Sequence, residues 1–219
     1  MTLGIYGSGG LGREVLETIR AINAVSDTWQ HIVFINDFKT DESLVNGIKV
    51  FTFDEFKAEF LPETTKTVIA VGEPQPRKML REKVTASGYS LQTIIHPTAF
   101  IASETQIGDG TIVQFGSLVS CNVTIGESVA IHPNTNIGHD SVVGNDVVFS
   151  PFVALSGHCI VGDEVYLGVG AIVKERITIG KNTIIGMGSA VMRDIQEDVI
   201  ALGNPARAMK KNEDGRVFK

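Results

Sequence analysis

Positive charge is missing from the middle of this chain: positions 95–173 contain no lysine or arginine. With a net charge of −6 over 219 residues, that gap argues against nucleic acid as a general partner. Cysteine is scarce too. Cys121 and Cys159 are the only two, 38 residues apart, and they offer neither a disulfide framework nor metal-ligand spacing. No run of about 18 apolar residues exists to span a membrane. The start, Met1-Thr2-Leu3-Gly4, lacks a basic leader followed by an apolar stretch, so no signal peptide is visible. These absences predict a cytoplasmic protein without a membrane segment. What remains, 43% apolar residues, is ordinary for a chain that buries a core.

What is present is a strict repeat. From Ile95 to Gln196 a six-residue pattern runs through seventeen hexads without a break. The lead position, from Ile95, Ile101 and Ile107 through Phe149 to Ile185 and Val191, is apolar every time. Four residues on stands Ala, Ser, Thr, Cys or Val, except at Ile177 and Ile195. Gly follows the lead residue in eight hexads, as in Ile137-Gly138. So short a period marks a β-solenoid, in which each repeat is a short strand plus a turn. Three hexads make a triangular coil of eighteen residues, and successive lead residues stack into an inward column.

Residues 1–94 follow other rules. Leu3–Tyr6 reads as a strand, followed by Gly7-Ser8-Gly9-Gly10-Leu11-Gly12 and a helix over about Arg13 to Asn23. His31–Asn36 and Thr67–Val71 read as further strands, the latter followed by Gly72-Glu73-Pro74 and a helix from about Pro76 to Ser87. Alternating strands and helices predict a small parallel α/β domain over 1–94, joined near Leu91–Ile95 to an all-β solenoid domain over 95–219. Gly7-x-Gly9-x-x-Gly12 between strand and helix fits a phosphate-approaching turn, with Asp37 as the acidic residue further on. A tight turn without ligand fits the same residues. Ninety-four residues leave no room for two mononucleotide-binding halves, so a single nucleotide suits the size better. Nine of the nineteen basic residues fall after Val173, which reads equally as a solvated end cap or as a positive site for a phosphorylated ligand.

The order of these parts, closed by Gly203-Asn204-Pro205-Ala206-Arg207, resembles the PglD/NeuD-type sugar acyltransferases over essentially the whole chain. The resemblance rests on the Gly7–Gly12 turn, Asn36-Asp37-Phe38-Lys39, Ile137-Gly138-His139-Asp140 and the tail motif. It implies a left-handed parallel β-helix, a homotrimer with sites between subunits, and acetyl-CoA as donor. The implied acceptor is the amino group of a nucleotide-linked deoxysugar in bacterial surface-glycan synthesis, with O-acetylation of sialic acid in a related branch.

His139 then corresponds to the general base and Asp140 to its acidic support, as attack of an amine on a thioester requires. Eighteen residues on, Gly157 stacks over His139, leaving room for a thioester beside the ring and a backbone N–H for the oxyanion. Gly9, Gly10, Leu11, Asn36, Asp37 and Gly72 are expected to hold the nucleotide-sugar. Val148, Val169, Met187 and Arg207, together with Gly157, are expected on the cofactor side. Val148 stands where the family often carries a second His, and Ser141 replaces a frequent Cys. His139 lies on the order of 12 Å above the domain junction, taking a strand spacing per coil.

Other readings compete. His158, one coil up, suits a cofactor or substrate contact as well as a polar turn. Cys121, one coil below His139, invites a covalent thioester route, although small cysteines are common in such columns. A three-histidine zinc hydratase would need a His-x₄-His pair, which is absent, so no metal is expected. A non-catalytic trimerising scaffold would not call for the glycine turn or the His139/Gly157 pair.

Overall fold

The computed structural model describes residues 1–38 and 44–217. Its first layer is a parallel sheet of β1 (Thr2–Tyr6), β2 (His31–Ile35), β4 (Ile48–Phe51), β5 (Thr65–Ile69) and β6 (Ser90–Leu91), edged by the short antiparallel β3 (Leu44–Val45). The strand order is β3-β4-β2-β1-β5-β6. Side chains alternate across it as a sheet buried on both faces requires. Leu3, Ile5, Phe34 and Val68 join one core, and Tyr6, Val33, Ile35 and Ile69 the other. Helix α1 (Gly10–Ser26) starts earlier and ends later than the expected Arg13–Asn23. Strand β5 and helix α3 (Pro74–Ala86) each start two residues earlier than expected. The β3–β4 hairpin and α2 (Phe53–Glu59) were not anticipated. Helix α2 is held by a capping box in which Thr52 and Glu55 satisfy each other's backbone N–H groups.

From β7 (Ile94–Ile95) to β23 (Ala190–Val191) the chain forms seventeen two-residue strands, each ending on the expected lead residue. They pair in parallel with partners eighteen residues away, such as Val113 with Ile95 and Ile131. Three faces result. The first holds β7, β10, β13, β16, β19 and β22; the second runs from β8 to β23, and the third from β9 to β21. The lead residues from Val113 to Val191 are buried in one continuous core, with Val123, Val147, Cys159 and Val165 between them. At every corner from Gly110 to Gly188, each sixth residue has a left-handed φ of 50–73°. Strands β24 (Val199–Gly203) and β25 (Ala206–Lys211) form an antiparallel lid over the last coil of the first face.

The α/β domain lies against the flank of the solenoid. Ile94 and Ile112 of the first face share a core with Val15, Leu16 and Ile19 of α1. Helix α3 runs along the corner between the third and first faces, past three coils. Fully buried Arg77 donates to the Ser128, Ile69 and Val71 carbonyls at 2.8–2.9 Å. Arg81 pairs with buried Asp146, and Lys78 with Glu164. Burial pulls the Arg77 guanidinium down to about 10, with Asp146 acting against it, so it stays charged at neutral pH.

Candidate active site

The corner between the second and third faces carries the densest polar cluster. His139 and Asp140 fill the turn after Ile137; Gly157 and His158 fill the same turn one coil up, and the His158 N–H donates to the His139 carbonyl at 2.8 Å. Asp140 Oδ2 lies 2.7 Å from His139 Nδ1, while Asn122 Nδ2 donates to Oδ1 at 3.0 Å. Those two hydrogen bonds hold the Asp140 carboxyl below the usual carboxylate range. An ionised Asp140 accepts from Nδ1–H, so the Nε2 lone pair of His139 faces outward as a base. A Cβ on Gly157 would fall 2.7 Å from that Nε2, so only glycine leaves room there. The Gly157 N–H makes no hydrogen bond to the described chain, and is open to a developing oxyanion.

His158, which the sequence reads equally as a ligand contact or a polar turn residue, is a neighbour of His139. Its ring meets that of His139 edge-on at 5.1 Å, and its Nε2 lies 3.8 Å from Asp140 Oδ2. The ligand-type atoms of His139, Asp140 and His158 all fall within 4.8 Å of one another, so these three side chains could hold a divalent cation. Cys121, one coil below, is exposed and unbonded to another cysteine.

The cofactor-side residues sit elsewhere. Val169 and Met187 stack on the corner between the first and second faces, the far end of the second face from His139, and both are exposed. They line a groove of about 930 Å³ with Gly168, Gly186, Lys210, Lys211 and Arg216. The floor is apolar, from Tyr166, Ile184 and Ile200, and the rim carries Lys210, Lys211 and Arg216 alongside Glu213 and Asp214. Val148 does not reach that groove. It is 1% exposed, packed among Ala130, Tyr166 and Ile184 under Val217, so its side chain offers no contact surface. Arg207 is also absent from the lining; it donates to its neighbour's carbonyl, Ala206 O, at 2.9 Å. Lys210, Lys211 and Arg216 replace it, and the clustering of charge after Val173 was their only signal in the sequence.

In the α/β sheet the turn residues converge as expected. Gly9–Leu11 follow β1, Asn36 follows β2 and Gly72 follows β5, three adjacent strands whose order reverses at β1, where α/β sheets bind ligands. Gly7 adopts a φ of 116°, and a Cβ on Gly12 would overlap the Gly7 carbonyl, so both glycines are demanded by the turn itself. Gly9 caps α1 without any side-chain hydrogen bond, and a Cβ added at Gly9 or Gly10 would meet no atom within 4 Å. The helix N-terminus is thus open to an anion. Asn36 braces the turn through Ser8 Oγ at 2.8 Å.

Asp37 differs from expectation. Its carboxylate already accepts from Tyr6 Oη and Lys83 Nζ, both at 2.6 Å, and from the Phe53 N–H at 2.8 Å. Burial raises its pKa, but these hydrogen bonds outweigh burial and the net shift is downward. Asp37 clamps β1, α2 and α3 together through these three hydrogen bonds. Lys39, the last residue of the same motif, lies outside the described residues.

Comparison with known proteins decides the family. Residues 2–84 match the PglD N-terminal domain and residues 122–157 the bacterial transferase hexapeptide (six repeats). PerB from Caulobacter crescentus, solved with CoA and GDP-perosamine, superposes with a TM-score of 0.86 at 30% identity, over 96% of this chain and 98% of that one. The chain belongs to the PglD-type family of sugar N-acetyltransferases. The acetyltransferase domain of PglB from Neisseria gonorrhoeae FA1090 gives a TM-score of 0.89 at 29% identity, over 95% of this chain and 99% of that domain. It has also been solved with acetyl coenzyme A. UDP-N-acetylbacillosamine N-acetyltransferase of Bacillus subtilis (strain 168) is 35% identical over 114 residues, which span half of this chain and 49% of that enzyme. Among the described residues no helix is long and apolar enough to cross a membrane.

Proposed function

We propose that this PglD-type chain transfers acetyl from acetyl-CoA to the amino group of a nucleotide-linked amino-deoxysugar, by direct attack. The observation that carries this reading is one stack: Asp140 on His139 Nδ1, and the open Gly157 position over His139 Nε2. His139 Nε2 takes the ammonium proton as nitrogen attacks the thioester carbon. The Gly157 N–H steadies the oxyanion, and the tetrahedral intermediate then collapses with loss of the CoA thiolate. Val169 and Met187 line the pantetheine path, while Lys210, Lys211 and Arg216 meet the CoA phosphates. The nucleotide lies at Gly9–Leu11, Asn36 and Gly72. Divided corners favour a homotrimer: the six residues from Pro133 to His139 span at most roughly 20 Å across one face. One copy's His139 would therefore serve the groove of the next. An apolar strip of Phe100, Leu118 and Ile172 on the second face, left exposed, suits such packing.

Thiol release from acetyl-CoA, measured against UDP-, dTDP- and GDP-linked 4-amino-4,6-dideoxysugars and free sialic acid, tests the reading. Turnover of one nucleotide-linked amine is expected, falling roughly 10²–10⁴-fold in His139→Ala with oligomeric state unchanged. Loss under tenfold would remove His139 as the base. Turnover of sialic acid alone would transfer the chain to the O-acetylating branch.

A further inference from the structure

His158 takes no part in the transfer chemistry, yet the register that builds the base also sets its position. Asn122, Asp140 and His158 stand eighteen residues apart and stack as one column of left-handed turn residues, each with a φ of 56°. His139 flanks this column, its Nδ1 2.7 Å from Asp140 Oδ2, and His158 Nε2 lies 3.8 Å from the same oxygen. One carboxylate oxygen thus faces two imidazole nitrogens. The sequence holds no His-x₄-His pair, and the coil supplies instead two histidines and a carboxylate from neighbouring turns.

Imidazole nitrogen and carboxylate oxygen together suit a borderline divalent ion of the zinc type. Zinc binds both at about 2.0–2.2 Å, which in tetrahedral geometry sets ligand atoms about 3.3 Å apart. The gap of 2.7 Å has to open by about 0.6 Å, and that of 3.8 Å to close by about 0.5 Å. All three ligand-type atoms already lie within 4.8 Å of one another. The three side chains are half-exposed, so such rotations are open to them and a hydrated ion can reach them. Asn122 Nδ2 donates to Asp140 Oδ1 at 3.0 Å and keeps Oδ2 turned toward the imidazoles, as the outer partners of metal ligands do. The Asp140 carboxyl, held below the usual range by its hydrogen bonds, enters as the anion a ligand must be.

Occupation changes what His139 can do. With Asp140 on Nδ1–H, the Nε2 lone pair is free to take the ammonium proton. A cation takes the Nδ1 lone pair instead, and the proton that stood on Nδ1 passes through solvent to Nε2. Starting from neutral imidazoles no proton is lost overall, but Nε2 now carries hydrogen and accepts nothing. We propose that His139, Asp140 and His158 form a zinc-type cation site, and that its occupation reversibly switches acetyl transfer off. The binding stands on geometry alone; the inhibition rests on the reading of His139 as the base of a sugar N-acetyltransferase.

The test titrates Zn²⁺ and Co²⁺ into the full chain without substrate, and Zn²⁺ and Mg²⁺ into the thiol-release assay, for wild type, His158→Asn and Cys121→Ser. Asparagine suits the left-handed backbone at position 158, and the melting temperature checks that the fold survives. Wild type should bind one Zn²⁺ per chain, and Co²⁺ should give the visible absorption of a four-coordinate ion that Zn²⁺ displaces. Turnover should fall roughly 10²-fold at saturating Zn²⁺, as for loss of a general base, and return with a chelator. Mg²⁺, which prefers oxygen ligands, should change turnover less than about twofold. His158→Asn should weaken Zn²⁺ binding, and raise the half-inhibiting concentration, by at least about tenfold. Cys121→Ser should move neither by more than about twofold, since a thiolate is outside the set. Equal Zn²⁺ affinity in wild type and His158→Asn, binding lost in Cys121→Ser, or Zn²⁺ bound with transfer undiminished would overturn the proposal and leave the transferase reading intact. His158-dependent Zn²⁺ binding in a chain that acetylates no nucleotide-linked amine would overturn that reading, and the switch with it, while the ion site stood.

Discussion

Two corners of one prism are built by the same repeat and do opposite things. Position by position, the corner between the first and second faces reads Pro97, Phe115, Pro133, Pro151, Val169 and Met187. The corner between the second and third reads Ser103, Cys121, His139, Gly157, Glu175 and Arg193. One column is an apolar rail; the other holds an imidazole, a gap and charges. The repeat decides where each side chain stands, and a single residue in the turn decides what that place can do.

The sharpest way to break this division is to damage one corner per chain. His139→Ala and Met187→Trp should each be nearly inactive alone. Mixed trimers assembled from equal amounts should recover about a quarter of wild-type turnover, the share of interfaces that pair an intact base with an intact groove. No recovery on mixing would place both columns of a site in one copy. Next in size, Gly157→Val fills the space beside the His139 ring and should cost roughly 10²-fold in kcat/KM for acetyl-CoA. Unchanged kinetics would mean that the thioester does not lie in that gap.

Two smaller changes refine the polar corner. Asp140→Asn removes the carboxylate that holds the His139 ring by Nδ1, so turnover should fall about tenfold while the KM for acetyl-CoA stays within about twofold. Unchanged turnover in this variant would exclude Asp140 as the partner of His139. Cys121→Ser should change turnover less than about twofold if no acyl-enzyme forms. A dead variant, or acetyl trapped on Cys121, would restore the covalent route.

The solenoid was legible because its period assigns neighbours: eighteen residues separate His139 from Gly157, and the structure stacks them. The α/β half was less so, since its decisive contacts join distant segments. Arg77 reaches Ser128 across 51 residues, and no local pattern announces that. A hint did exist. Glu127, Asp146 and Glu164 recur on one corner of a stretch without any basic residue, and the basic residues of α3 answer them. Asp37 was misread for a similar reason. Its place after β2 suited a ligand, but its neighbours in space, Tyr6 and Lys83, lie 31 and 46 residues away. Val148 carried a family position into a packed interior, where the C-terminal tail covers it.

The left-handed residue that closes each corner narrows what evolution can try there. Asn, Asp, His and Gly tolerate that backbone best, and they account for most of the residues found in it, Asn122, Asp140 and His158 among them. Hydrogen-bonding and proton-handling side chains are therefore overrepresented at the vertices before any selection for catalysis begins. A scaffold of this kind presents a ready alphabet of reactive groups at regular heights, and a new acceptor can be met by changing one letter while the coil beneath it stays as it was.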